Sequence, residues 1–237
     1  MPYCAEYCLD MPEDFPIEEL TEFMAIARKI LLQPESPHWT ELAGASNLIG
    51  WRFRASFEDW QIYRNCLTKS IYPATHEEIF LRECALFGMF SAGVSVLEST
   101  AYAISALLSH DSILAFKFGS AEQRACSPRR LFVWLTPHPK AAGLSRAVEM
   151  ILNSKEWSLW VGLRNRMTHR SSLPRIVHAS IGAPLPVTKP IIFAETSSTP
   201  PIDADIADFN ALHHWLAKSL KELLVETSSL VKTCRTD

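Results

Sequence analysis

The chain has 237 residues, 48 % of them hydrophobic and 21 % charged, with only 8 glycines. That composition excludes a disordered or fibrous chain and leaves one large globular domain, or a core domain carrying an extension. With 23 basic against 26 acidic residues the formal net charge is −3, which excludes a chromatin-like positive coat and admits only local basic patches.

Cys4, Cys8, Cys66, Cys84, Cys126 and Cys234 form no Cys-x-x-Cys pair, and the opening MPYCAEYCLDMPEDFP lacks both a basic and an apolar signal region. A reducing cytoplasm is therefore the expected compartment. No second pair with zinc spacing accompanies Cys4 and Cys8, so they read as buried or incidental thiols and no metal is expected.

In chain order, Ile17, Leu20, Met24, Ala27 and Leu31 recur at spacings of three and four and predict a helix from Pro16 to just before Pro34. Ser36-Pro37 offers a cap followed by proline at the first helical position, and Ser56-Phe-Glu-Asp59 resembles a capping box. Two helices over 37–50 and 57–69 are expected, with a link near Gly50. Thr75-His-Glu-Glu78 is a second capping box. Behind it Ile79, Leu86, Phe90, Gly93, Leu97, Ala101, Ile104 and Leu108 keep helical spacing and predict the longest helix.

Part of that helix, Ala85 to Leu108, holds Glu98 as its one charged residue and approaches the length of a membrane span. Ser91, Ser95, Ser99, Thr100 and Ser105 interrupt it, so it reads as a central buried helix, and no membrane is expected as a partner. Between 110 and 139 the signal weakens to a short helix at 128–135. Helices at about 140–153 and 155–170 follow. The proline-rich segment 171–202, with β-branched runs at Ile176–Val177 and Ile191–Ile192, predicts a loop or a small hairpin. A closing helix from about 204 to 232 carries Ile206, Phe209, Leu212, Leu216, Leu220, Leu223 and Leu230 on one face. Asp203, Asp205 and Asp208 read as acidic residues favoured at the start of that helix rather than as metal ligands, and His213-His214 as the edge of its apolar face. The expected fold is an all-α bundle.

Familiar hydrolase and nucleotide-binding signatures are absent: there is no Gly-x-Ser-x-Gly, no Gly-Lys-Ser/Thr loop, no Gly-x-Gly-x-x-Gly and no His-Glu-x-x-His. The informative stretch runs from Trp157 to Arg170. On a helix Trp157, Trp160, Val161, Arg164 and Met167 share one stripe, so Arg164 stands where an apolar residue is expected. An inward guanidinium requires an anion, supplied either by the protein or by a ligand phosphate. Ser91, Ser95, Glu98, Tyr102 and Ser105 form a polar seam along the long helix. They offer Glu98 as the internal partner, with the hydroxyls meeting leftover lone pairs. Arg164, Arg166, Arg170 and Arg175 lie within twelve residues with no acid among them, a cluster suited to phosphodiester binding.

Arg164-Asn165-Arg-Met-Thr-His169 resembles the Arg-polar-x(3 to 5)-His motif of the HEPN superfamily of all-α domains. The resemblance covers about 76–232 of a helical domain bounded at 76–237, with 171–202 inserted before its last helix, and leaves 1–75 as an N-terminal helical extension packed on that core. It implies a metal- and cofactor-independent endoribonuclease, toxin- or defence-related. Arg164, Asn165 and His169 would be catalytic, Arg166, Arg170 and Arg175 would bind RNA, and Glu98 would be a polar residue on the facing helix. His169 would move the proton of a ribose 2′-hydroxyl or of the leaving 5′-oxygen, with Arg166 and Arg170 disfavouring its imidazolium form. Arg164 would stabilise charge on the phosphoryl oxygens, and Asn165 would hold the phosphate or the histidine. On a regular helix Arg164 and His169 point about 140° apart. The resemblance resolves this by pairing two protomers, which implies a homodimer, with an antitoxin protein as a further partner. Two readings from other classes stand beside it: a non-catalytic module binding RNA, a nucleotide or a protein, and a structural Arg164–Glu98 ion pair.

Overall fold

The Thr75 hydroxyl accepts a hydrogen bond from the Glu78 amide at 3.2 Å, and the Glu78 carboxylate accepts one from the Thr75 amide at 2.7 Å. This closed capping box starts α3 (His76–Leu108), the axis of the molecule, in a computed structural model of the chain. The structure describes residues 1–31, 37–69, 75–110, 113–114, 116–169, 175–176, 191–193, 202–204 and 206–236. Its helices are α1 (Ile17–Leu31), α2 (Pro37–Lys69), α3, α4 (Ser120–Ala125), α5 (Pro128–Leu135), α6 (Ala142–Leu152), α7 (Lys155–His169) and α8 (Ile206–Thr236). The fold is all-α.

Among the described residues α3 is long and apolar enough to cross a membrane by length and composition. Most of its second half is buried, Val94, Val96, Leu97, Ala103, Ile104 and Leu107 included, because other helices pack around it, while Ser95, Glu98, Ser99 and Tyr102 stay partly exposed. The most extensive of these contacts is with α2, which runs antiparallel to it. Glu41 meets Tyr102, Ser56 donates to the Met89 carbonyl at 3.1 Å, and the Asp59 carboxylate lies against Gly88.

The expected break near Gly50 is absent: α2 is one helix over Pro37–Lys69. Gly50 is a notch rather than a link, since a Cβ there would collide with the Tyr7 ring, whose hydroxyl donates to the Ser46 carbonyl at 2.8 Å. Tyr7 sits in the turn of a hairpin between β1 (Tyr3–Cys4) and β2 (Leu9–Asp10), paired Tyr3 with Asp10 and Cys4 with Leu9. Cys8 closes that turn at φ 52°. The hairpin is anchored by the fully buried Cys4 and Met11 and by the Glu6–Arg28 ion pair.

A chain of aromatic rings ties four helices together. Trp60 of α2 lies 5.5 Å from Phe209 of α8, Phe209 lies 5.9 Å from Phe90 of α3, and Phe90 lies 4.9 Å from Trp160 of α7. The Trp60 indole donates to Asn210 Oδ1 at 2.8 Å, so the ring's polar edge is satisfied.

Helix α4 has no counterpart in the sequence reading, because six residues carry too little periodicity to register. The hairpin expected in 171–202 is part of a three-stranded antiparallel sheet, β3 (Arg175–Ile176), β4 (Ile191–Phe193) and β5 (Ile202–Ala204), with Ile176 opposite Ile192. Asp203 consequently belongs to a strand and not to the first turn of α8, whereas Asp208 does lie in that turn; Asp205 falls outside the described residues. The histidine pair divides. His213 is buried edge-on between Phe53 (4.7 Å) and Phe57 (5.3 Å), with Nδ1 at 3.5 Å from Asp14 Oδ2, whereas His214 is exposed.

Candidate functional site

Helix α7 begins where the Ser154 hydroxyl accepts the Trp157 amide at 3.0 Å, and Glu156 complements the positive helix end. Trp160 and Leu163 are buried, and Trp157, Val161 and Met167 pack partly buried on the core. The aromatic ring of Trp160 fits over Gly93 of α3, where a Cβ would collide with it. That close approach sets Arg164, one turn further along α7, beside Glu98, a little over one turn further along α3. The Arg164 Nη2 donates to Glu98 Oε1 at 3.1 Å. The carboxylate is the anion foreseen for the guanidinium.

The pair is not sealed. The Arg164 side chain is 28 % exposed and that of Glu98 40 %. Only one hydrogen bond joins them, and the buried Nε of Arg164 has no partner. A guanidinium carries five donors; Glu98 takes one at Nη2, and the buried Nε is left without a partner. A single contact at this exposure contributes at most about 1 kcal/mol to folding.

Asn165 is exposed and Arg166 partly exposed on the same turn. His169 is the final residue of α7; its side chain, all of Arg170, and the side chain of Arg175 in β3 lie outside the described residues. The helix is unbroken from Arg164 to His169, so the two backbone positions keep the angular offset of about 140° of a regular helix.

The seam on α3 differs from expectation. Ser95 and Ser105 donate to the carbonyls of Ser91 and Ala101, four residues back, at 2.9 and 2.8 Å, and the Ser91 hydroxyl is buried without a partner. Back-bonding within a helix is the nearest acceptor a serine has, so these hydroxyls do not complete the Arg164–Glu98 pair. Tyr102, one turn beyond Glu98, donates instead to Glu41 Oε2 of α2 at 2.6 Å. Burial, and then the Glu41 carboxylate, push the Tyr102 phenol upward. Close by, burial pushes the Cys126 thiol up to about 11, against the Ser105 hydroxyl 3.6 Å away. Glu41 had no signal in the sequence, for it stands 61 residues from the tyrosine it binds.

Among the described residues no group of three or more His, Cys, Asp and Glu side chains is placed to hold a metal ion. Comparison of the chain with family models, with curated proteins and with solved structures finds no match. The class the molecule itself defines is an all-α bundle with a half-open Arg–Glu pair on adjacent helices.

Proposed function

We propose that this chain is a metal-independent endoribonuclease of the HEPN type, acting in the cytoplasm as a toxin or defence protein. Arg164 and His169 would carry the reaction and Asn165 would assist. The carrying observation is Arg164 itself, a guanidinium placed on an apolar stripe, held by one hydrogen bond and open to solvent, with donors uncommitted. Such a group is suited to a phosphodiester, whose oxygens match the guanidinium fork.

In this reading the ribose 2′-oxygen attacks phosphorus while its proton passes to an imidazole. The bond from phosphorus to the 5′-oxygen breaks, and that oxygen takes up a proton, leaving a 2′,3′-cyclic phosphate. Arg164 offsets the charge that builds on the phosphoryl oxygens. His169 serves as base or acid, a task suited to a group titrating near neutral pH. Separate acid and base, and the angular offset along α7, favour a homodimer in which two motifs face each other. Arg166, Arg170 and Arg175 hold the RNA strand, and a toxin of this type is restrained by an antitoxin protein.

One observation favours a second reading. Glu98 already occupies one donor of Arg164, as it would in a structural ion pair that leaves the rest of the basic edge to a non-catalytic RNA-, nucleotide- or protein-binding module. Incubating the purified protein with total RNA in EDTA decides between them. Cleavage that disappears in both Arg164→Ala and His169→Ala, each still folded, supports the enzyme. Binding without cleavage, weakened by Arg164→Ala and indifferent to His169→Ala, supports the module.

A further inference from the structure

The segment preceding and including α5 carries a row of rings that the site described so far does not use. Tyr102 of α3 meets Phe118 with ring centroids 5.2 Å apart, Phe118 meets Trp134 of α5 at 6.2 Å, and Trp134 stacks on Phe116 at 5.5 Å and 20°. All four rings are partly exposed rather than buried. The core of the bundle, by contrast, buries Trp60, Trp160, Tyr63, Phe90 and Phe209 almost completely. Tyr102, Phe116 and Phe118 pack against the edge of that core and, like Trp134, keep part of the ring open to solvent.

The exposed charge on the segment from Phe116 to Leu135 is mostly basic, while the Glu41 carboxylate accepts from Tyr102 at the other end of the row. Lys117, Arg124, Arg129 and Arg130 are all exposed, and Arg130 lies one turn before Trp134 on the same face of α5. Among the described residues no carboxylate pairs with Arg124, Arg129 or Arg130. The one acid between Phe116 and Leu135, Glu122, accepts from the Gly119 amide at 3.2 Å and stands 3.9 Å from Lys117. Partly exposed rings and exposed arginines on one segment are the residue types that bind single strands, where bases stack on aromatic side chains and phosphates meet Lys and Arg. The row begins at Tyr102, four residues from Glu98, a separation of about 6 Å along the helix axis.

We infer that Tyr102, Phe118, Trp134 and Phe116, with Arg124, Arg129 and Arg130, form a docking track for single-stranded nucleic acid that leads to the Arg164–Glu98 pair. The inference rests on the nuclease reading for its direction along the strand, and on the rings and charges alone for its existence.

The test uses the full chain and a fluorescent 2′-O-methyl oligouridine of twelve nucleotides, which lacks the nucleophile and so stays intact whether or not the protein is a nuclease. Fluorescence anisotropy reads affinity across a salt series. The Arg129→Gln/Arg130→Gln variant, altered only at exposed positions, is expected to weaken binding and to flatten the salt dependence by about 1.4 in log–log slope, at about 0.7 for each phosphate that is no longer neutralised. Trp134→Leu, which keeps an apolar side chain for packing, is expected to weaken binding about 5- to 150-fold with the slope unchanged, the range for loss of one stacked base. A twelve-base-pair duplex is expected to compete poorly.

Wild-type affinity in the double arginine variant, or no binding by the unaltered chain, overturns the track and makes the row a packing cluster; the arginine variant decides even if Trp134→Leu fails to fold. A parallel assay on unmodified RNA reads the nuclease separately. No cleavage together with the expected loss of binding sinks the nuclease and leaves the track standing.

Discussion

Trp160 of α7 covers Gly93 of α3 so closely that even a methyl group on Gly93 would enter the indole ring. This contact fixes how α7 lies on α3 and therefore how Arg164 reaches Glu98 at 3.1 Å.

Two glycine substitutions on these helices accordingly have opposite signs. Gly93→Ala must displace a fully buried tryptophan, and overpacking of this kind costs about 1–3 kcal/mol. Gly162 has open space where its Cβ would stand, so Gly162→Ala gains about 0.5–1 kcal/mol from the stiffer unfolded chain and better helix propensity. Thermal unfolding is expected to show Tm falling by about 2–10 °C for the first and rising by about 1–4 °C for the second.

Removing Arg164 separates stability from activity. At the exposure of this pair, Arg164→Ala is expected to lower stability by no more than about 1 kcal/mol, read by urea unfolding. RNA cleavage is expected to fall by about 10²-fold or more, the usual consequence of losing a donor to a developing oxyanion. A loss of several kcal/mol would show that the pair is a structural tie.

Asp59 supplies a pH dependence. Burial against α3, and then the neighbouring Glu58, raise its carboxyl to about 6 from an ordinary value of 3.8. The folded chain therefore binds this proton more readily than the unfolded one. The stability it contributes is complete below about pH 4 and is lost as pH rises through about 6. Asp59→Asn is expected to unfold at a higher temperature than the wild type at pH 7.5, with the difference closing as the pH is lowered to 4.

Tyr102→Phe removes the donor to Glu41 while keeping the ring against Phe118. A hydrogen bond to a partly exposed carboxylate contributes about 1–2 kcal/mol. The variant is expected to lose that much stability by chemical denaturation and to keep the oligouridine affinity of the wild type, because stacking needs the ring and not the hydroxyl.

Much of the helical layout was legible because its signals are local. Thr75 and Glu78 close their capping box within one turn, and Ser127-Pro128 starts α5 at the expected residue. Gly50 misled the reading of α2, since a glycine opposite a distant tyrosine looks in sequence like a helix break. Short elements such as α4 and β5 escaped because a few residues carry no period. Among the candidate site residues, Arg164 and Glu98 were legible as charges out of place on apolar faces. Glu41 was not, because an acid near the start of a helix is ordinary there.

By itself, then, the chain's order of residues determined that it folds into helices, where the longest and best-capped of them begin, and that one arginine and one glutamate interrupt apolar faces. These follow from periodicity and capping, which act over a few residues. The tertiary structure decided that the anion meeting Arg164 is Glu98, one of the two the sequence left open, and it alone decided that Tyr102 turns to Glu41 and that Phe116, Phe118 and Trp134 join Tyr102 in one row. Packing selects such partners, since a hydrogen bond or ring contact between distant segments forms only where the core has already brought their backbones together.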